Sequence, residues 1–173
     1  MKNHIKVISL ASVFAVAFSA FSVSAVQRDI TVTADIDPTV DITQADGSVL
    51  PSSINMQYLP GKGLAAYKQN IKLWSNTANR ALNLSLANTP SLTDANGANA
   101  IPLSVSVNGK ALSTTATTFD YDTTFPSGIA NGSSTMPFVI TQTNPGPANA
   151  AGTYTGTVSL VVTQATASPT PTP

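Results

Sequence analysis

Residues 26–42, VQRDITVTADIDPTVDI, alternate apolar and polar side chains with a period of two along almost their whole length. Ile30, Val32, Ala34, Ile36, Val40 and Ile42 fall on one side, and Asp29, Thr31, Thr33, Asp35, Asp37, Thr39 and Asp41 on the other. This is the pattern of a half-buried β-strand, in which successive side chains point to opposite faces. A strand must find partners for its backbone N–H and C=O groups. Yet no hairpin turn lies before or within this stretch. Its partner is either a distant strand of the same sheet or a strand of another chain.

The alternation follows a leader. Lys2 and Lys6 precede an apolar run at 7–21, and VSA at 23–25 offers compact residues at the cleavage positions, the layout of a secretory signal peptide over residues 1–25 cut after Ala25. The rival reading is an uncleaved membrane anchor, but a serine-laced run of about 15 residues falls short of the roughly 20 that span a bilayer. Cleavage leaves enough of the 173 residues for one domain with a real core. It also removes His4, the only histidine, from a chain that has no cysteine. Arg28, Lys62, Lys68, Lys72, Arg80 and Lys110 then stand against eight aspartates and no glutamate, a net charge of −2. That balance argues against a nucleic-acid partner, which wants a basic face. Without disulfides, an exported domain of this size relies on burial, ladder hydrogen bonds and assembly.

Beyond the leader no stretch carries apolar residues at helical spacing, and Thr, Ser, Asn, Val, Ala, Gly and Pro dominate. Strands are predicted at 54–59 (Ile54, Met56, Tyr58), at 66–75 as a central strand with an irregularity near Trp74, and at 82–86 (Leu82, Leu84, Leu86). Residues 88–100 read as a polar loop. Leu103, Val105 and Val107 mark the next strand, and Asn108-Gly109 predicts a two-residue type I′ hairpin turn. Phe119, Tyr121 and Phe125 alternate in another predicted strand over 117–125. Pro137 marks 136–142 as an edge strand or a strand start. A last strand over 153–164 puts Tyr154, Gly156, Val158, Leu160 and Val162 on one face. The Pro/Thr-rich end, residues 166–173, reads as an extended, disordered tail. Short strands joined by Gly, Pro, Asn and Asp turns point to an immunoglobulin-like β-sandwich.

Chemistry is scarce. Without His or Cys in the mature chain, serine triads, cysteine nucleophiles, zinc sites and imidazole acid–base work are closed, so neither an enzyme nor a cofactor or metal is expected. Asp35, Asp37 and Asp41 read as a charged face that blocks unwanted pairing, with a calcium site as the weaker alternative. Asp94, Asn96 and Gly97 faintly resemble a calcium loop but lack its terminal Glu. Asp120 and Asp122 read as facing water. Asn83 and Asn131 head Asn-x-Ser sequons. Trp74, the single tryptophan, reads as core, with a sugar-stacking platform as the other possibility.

Four stretches carry a family resemblance: VQRDITVTADIDPTVDITQADGSVLPS at 26–52, TPSLTD at 89–94, PLSVSVNGKALSTTA at 102–116 and AGTYTGTVSLVVT at 151–163. Together they resemble the major pilins of class 5 chaperone–usher fimbriae, a family that includes the colonisation factor antigen I type and the cable pili. The Pro/Thr tail departs from the short ends of the colonisation-factor pilins. The resemblance implies an all-β, incomplete immunoglobulin-like sandwich over 38–165, completed by donor-strand complementation. It implies that residues 26–37 form a donor extension, with Val26, Ile30, Val32, Ala34 and Ile36 as its groove-facing set. It further implies that residues 154–162 border the groove and meet a periplasmic chaperone first, and that an outer-membrane usher exchanges the chaperone for the next identical subunit. A minor tip adhesin would carry most receptor binding, and the fibre would stand on the bacterial surface. Asp37 and Pro38 then mark the junction where the donor leaves one subunit for its own, either as a simple strand terminator or as a hinge that sets the angle between subunits. The reading from another class is a monomeric secreted β-sandwich that binds a glycan or other host-surface ligand.

Overall fold

The computed structural model describes residues 40–166 of the chain. Eleven strands follow in order: β1 (Val40–Gln44), β2 (Tyr58–Leu59), β3 (Gly63–Leu64), β4 (Tyr67–Ser75), β5 (Leu82–Leu86), β6 (Ser91–Leu92), β7 (Ile101–Val107), β8 (Lys110–Leu112), β9 (Thr117–Phe119), β10 (Met136–Gln142) and β11 (Leu160–Gln164). One sheet runs β1-β4-β10-β7-β6, with β8 also paired to β7; a second runs β11-β5-β9; β2 and β3 form a small ribbon. Every ladder among the described residues is antiparallel.

The two sheets face each other over an aliphatic core. Ile71 and Leu73 of β4, Val105 and Val107 of β7, and Phe138 and Ile140 of β10 enter it from one side, Leu82, Leu84 and Leu86 of β5 and Phe119 of β9 from the other. The period of two puts these residues there: β5 reads buried, half-buried, buried, half-buried, buried, and β7 follows the same rule. The Asn108-Gly109 turn is as expected, with φ of 49° and 75° and Val107 paired to Lys110. Both positive angles are what a type I′ turn requires.

Five expectations are corrected. Of 54–59 only Tyr58–Leu59 is strand, because among the described residues no strand pairs with 50–57. Strand β4 is regular through Trp74, and that side chain lies on the outer face, half-buried, not in the core. There its Nε1–H donates to Thr43 Oγ1 at 2.8 Å, and Gly132 lies flat on the ring, where an added Cβ would sit 3.1 Å from it. The strand expected over 117–125 stops at Phe119; Tyr121–Thr124 is one helical turn, in which i and i+4 bring the Tyr121 and Phe125 rings to 5.6 Å. Pro137 is the second residue of β10, a strand start as one of its two readings has it, and β10 is a central strand rather than an edge. The Pro137 carbonyl accepts from Asn108 N–H at 2.8 Å, so the proline forgoes only the return bond at the β7 hairpin, next to the first ladder pair at Phe138. The 88–100 loop contains β6.

Strand β4 gives the sandwich its long axis, nine residues or about 30 Å at ~3.3 Å per residue. At one end Ser75 pairs with Val40 and its hydroxyl accepts from Gln164 Nε2 at 3.0 Å. At the other end Tyr67 pairs with Ile140, and the 143–153 connection crosses from β10 in the first sheet to the β11 side of the second. Leu84, fully buried in β5, tests the packing. Leu84→Ala is expected to cost about 2–5 kcal/mol, read as a lowered unfolding midpoint of the assembled protein, whereas Ser85→Ala on the outer face stays within about 0.5 kcal/mol.

Candidate functional site

Between the sheets, towards the Tyr67 end, lies a groove of about 1020 Å³. One wall is residues 50–58, the other residues 152–160, and Leu92, Leu103, Phe138 and Ile140 supply an apolar floor between them. Tyr67 stands edge-on to Phe138 there, with ring centroids 6.5 Å apart. At the Ser75 end β1 and β11 come into contact and close the groove.

Both walls leave backbone groups without partners inside the described chain. Along 50–57 the backbone ladder amounts to one bond, Ala65 N–H to the Gln57 carbonyl at 2.8 Å. Along 152–159 Thr155 exchanges two bonds with Thr93, each 2.9 Å, and the Ser159 carbonyl accepts from Ala87 N–H at 3.0 Å. Among the described residues β11 pairs only with β5, and its first residue, Leu160, lines the groove. Exposed edges of this kind are templates for a further strand. The floor adds an apolar strip that a strand's alternate side chains fit.

The C-terminal face is placed by the structure as follows. Tyr154, Gly156, Val158 and Leu160 line the groove. Val162 packs against the core instead and lies beyond the groove lining. The strand itself is shorter than the 154–162 expected and begins at Leu160, because 154–159 has only the Thr93 bridge to hold it. Gly156 is there for contact rather than freedom: a Cβ at this position would collide with the Ser91 carbonyl. The sequence reading does not mark the opposite wall as a site. Ile54 and Tyr58, 39% and 43% exposed, carry the same alternation as residues 30–36, and that shared period is the signal that could have found it. Val26, Ile30, Val32, Ala34, Ile36, Asp37 and Pro38 lie outside the described residues.

The remaining candidates resolve into local structure. The Asp94 carboxylate accepts from the Asn96 and Ala98 amides, both at 2.9 Å, and from Asn99 Nδ2 at 2.8 Å. The Asn99 hydrogen bond, with the Ala98 amide, holds its carboxyl below the ordinary value. It closes its own loop and has few lone pairs left for a cation. Asn83 Oδ1 accepts from Thr118 Oγ1 at 2.9 Å across β5 and β9. In the second sequon Ser133 is buried, its hydroxyl accepting from Leu73 N–H at 2.9 Å. Asp41, Asp120 and Asp122 are exposed. No three His, Cys, Asp or Glu side chains gather among the described residues.

The described residues thus form a β-sandwich with an apolar-floored groove whose two walls carry few backbone bonds. The model of the family "CS1 type fimbrial major subunit" matches residues 26–163, and the chain belongs to that family. A CFA/I fimbrial subunit of Escherichia coli O78:H11 is 41% identical over 152 residues, 84% of this chain and 89% of the relative. A CS1 fimbrial subunit of Escherichia coli is 37% identical over 174 residues, 96% and 99% of the two chains. The solved structure of the CooA pilin subunit from enterotoxigenic Escherichia coli matches with a TM-score of 0.65 at 32% identity, over 76% of this chain and 91% of that one. The chain is thus a structural subunit of a fimbria, with an immunoglobulin-like all-β fold.

Two glycines separate packing from flexibility at the groove. Gly156→Ala is expected to detach the 152–159 wall from β6 and reduce fibre yield in electron micrographs several-fold. Gly152→Ala, where a Cβ meets nothing within 4 Å, leaves the yield unchanged.

Proposed function

We propose that the chain is the repeating shaft subunit of an adhesive fibre, and that it polymerises by seating residues 26–37 of one copy in the groove of the next. The observation that carries this reading is the groove itself, with unpaired backbone on both walls and an apolar floor. Ile30, Val32, Ala34 and Ile36 supply the one-sided apolar ridge that such a floor takes, and Thr31, Thr33 and Asp35 the opposite, solvent side. Each large aliphatic side chain buried gains about 1.5–3 kcal/mol. Each wall bond made adds about 0.5–1.5 kcal/mol net. The acceptor gains at the same time, because its floor and its wall amides leave water.

The polarity of the sandwich supports a head-to-tail chain. Val40, where the body begins after the extension, is at the Ser75 end, and the groove opens towards the Tyr67 end. A donor surface at one end and an acceptor at the other make a heterologous contact that repeats without closing. Before assembly the open walls need a cover, which is the task of a periplasmic chaperone. An outer-membrane usher then exchanges that cover for the next extension, after removal of residues 1–25 and transit of the periplasm. The tip of the fibre belongs to a separate adhesin, and the shaft subunit catalyses nothing. Pro38 ends the donor ladder and acts with Asp37 as the hinge between subunits.

Ile30→Asp or Val32→Asp, which place a charge in the apolar floor, are expected to abolish fibres in electron micrographs. Thr31→Asp on the opposite face leaves them. Equal loss from both faces would contradict the register. Deleting residues 26–37 distinguishes this reading from a self-sufficient binding module: the pilin still accepts a synthetic 26–37 peptide but no longer extends a fibre, whereas a module stays folded, monomeric and indifferent to the peptide.

A further inference from the structure

We propose that Asn108, at the tip of the β7–β8 hairpin, is a self-modification site: its side-chain amide is lost spontaneously, and the residue becomes aspartate or isoaspartate as the fibre ages.

The sequence holds three Asn-Gly pairs, Asn96-Gly97, Asn108-Gly109 and Asn131-Gly132. Glycine after asparagine favours one reaction, because no side chain shields its backbone nitrogen and its dihedrals are free. The glycine nitrogen gives its proton to hydroxide and attacks the asparagine Cγ. A C–N bond forms, the Cγ–Nδ2 bond breaks, and the amide nitrogen takes a proton from water and leaves as ammonia. The product is a five-membered cyclic imide. Water opens it at the side-chain carbonyl to give aspartate, or at the main-chain carbonyl to give isoaspartate, whose backbone runs through Cγ. Water is the only co-reactant, and nothing is oxidised or reduced.

The fold treats the three pairs differently. Gly97 N–H donates to the Asp94 carbonyl at 2.9 Å, and the Asp94 carboxylate holds the amides of Asn96 and Ala98 on either side. Gly132 is buried against the Trp74 ring. Its N–H donates to the Ile129 carbonyl at 3.1 Å, and Lys72 Nζ donates to the Asn131 carbonyl at 3.1 Å. At both pairs the attacking nitrogen must first break its own hydrogen bond. At the third pair it need not. Among the described residues neither Gly109 N–H nor the Asn108 side chain has a hydrogen-bond partner. Both residues are exposed, and a Cβ at Gly109 would meet nothing within 4 Å. The Asn108 amide is tied to the Pro137 carbonyl at 2.8 Å, but that bond lies before the peptide that has to turn. Exposed tips open more readily than the ladders behind them. Neither residue lines the groove, so a strand seated there does not cover them.

The two products differ in effect. Aspartate suits the first position of a type I′ turn and leaves the hairpin standing. It adds a negative charge at neutral pH, two residues from Lys110. Isoaspartate lengthens the main chain inside a two-residue turn that sets the β7–β8 register, and so loosens the pairing of Val105 with Leu112.

Purified fibres held in mildly alkaline buffer at body temperature, sampled over days and mapped by peptide fragmentation mass spectrometry, test the site. Asn108 is expected to convert at least several-fold faster than Asn96 or Asn131, with isoaspartate confirmed by isoaspartyl methyltransferase labelling. In guanidinium-denatured chain the three rates draw together, which shows that the fold and not the dipeptide ranks them. Asp94→Ala, which frees the loop around Asn96, is expected to raise the Asn96 rate several-fold and leave that of Asn108 unchanged. Folded protein in which Asn96 or Asn131 converts as fast as Asn108, or in which Asn108 stays intact while the denatured chain converts there, overturns the proposal.

Discussion

A backbone amide that has lost water must find another partner, and at the groove of this sandwich the described residues do not supply one. Strand β11 pairs with β5 on one side only, and residues 50–57 run opposite with a single backbone ladder bond. Everything distinctive about the protein follows from that shortfall. The core is otherwise complete, with Ile71, Leu73, Leu82, Leu84 and Val107 fully enclosed, so the molecule is not generally unfinished; it is unfinished along one line. An open edge over an apolar floor is a strong reason to associate and leaves a narrow choice of what to associate with.

The same line gives the assembly its direction. Closure at the Ser75 end by β1 and β11, and opening towards Tyr67, make the two ends of the sandwich chemically unlike. Identical copies joined through unlike ends propagate instead of stopping at a dimer. The absence of cysteine, and so of disulfides, fits this arrangement. Stability that many small exported domains draw from cross-links has to come here from burial, ladder hydrogen bonds and assembly.

Much of the sandwich is legible in the sequence, because its strands announce themselves by a period of two. Leu82, Leu84 and Leu86, or Leu103, Val105 and Val107, have one consistent reading, and Asn108-Gly109 dictates its own turn. Legibility fails where a period is present but its neighbour is not. Ile54, Met56 and Tyr58 alternate like a strand, yet ladder bonds are a property of pairs, and 50–57 lies against a groove. The same holds for 154–159. Tyr121 and Phe125 fit a strand or a helical turn equally well, and tertiary contact chooses the turn. Trp74 misleads because size and hydrophobicity argue for the core, whereas its Nε1–H has a partner waiting on the outer face in Thr43. Of the groove, the C-terminal wall is visible through its alternation, save that Val162 belongs to the core; the 50–58 wall is not.

The position of Trp74 has an optical consequence. The lone indole of the molecule is clamped on the outer face of β4, between the Thr43 hydroxyl and the flat back of Gly132, and Lys72 Nζ lies 6.0 Å from its ring centre. Its emission therefore reports on the outer shell of the sheet and not on the groove. With the indole alone excited, changes in emission during fibre growth or shear would register bodies touching or the β1–β4 seam parting, while the groove, lined by tyrosine and phenylalanine but no tryptophan, contributes nothing.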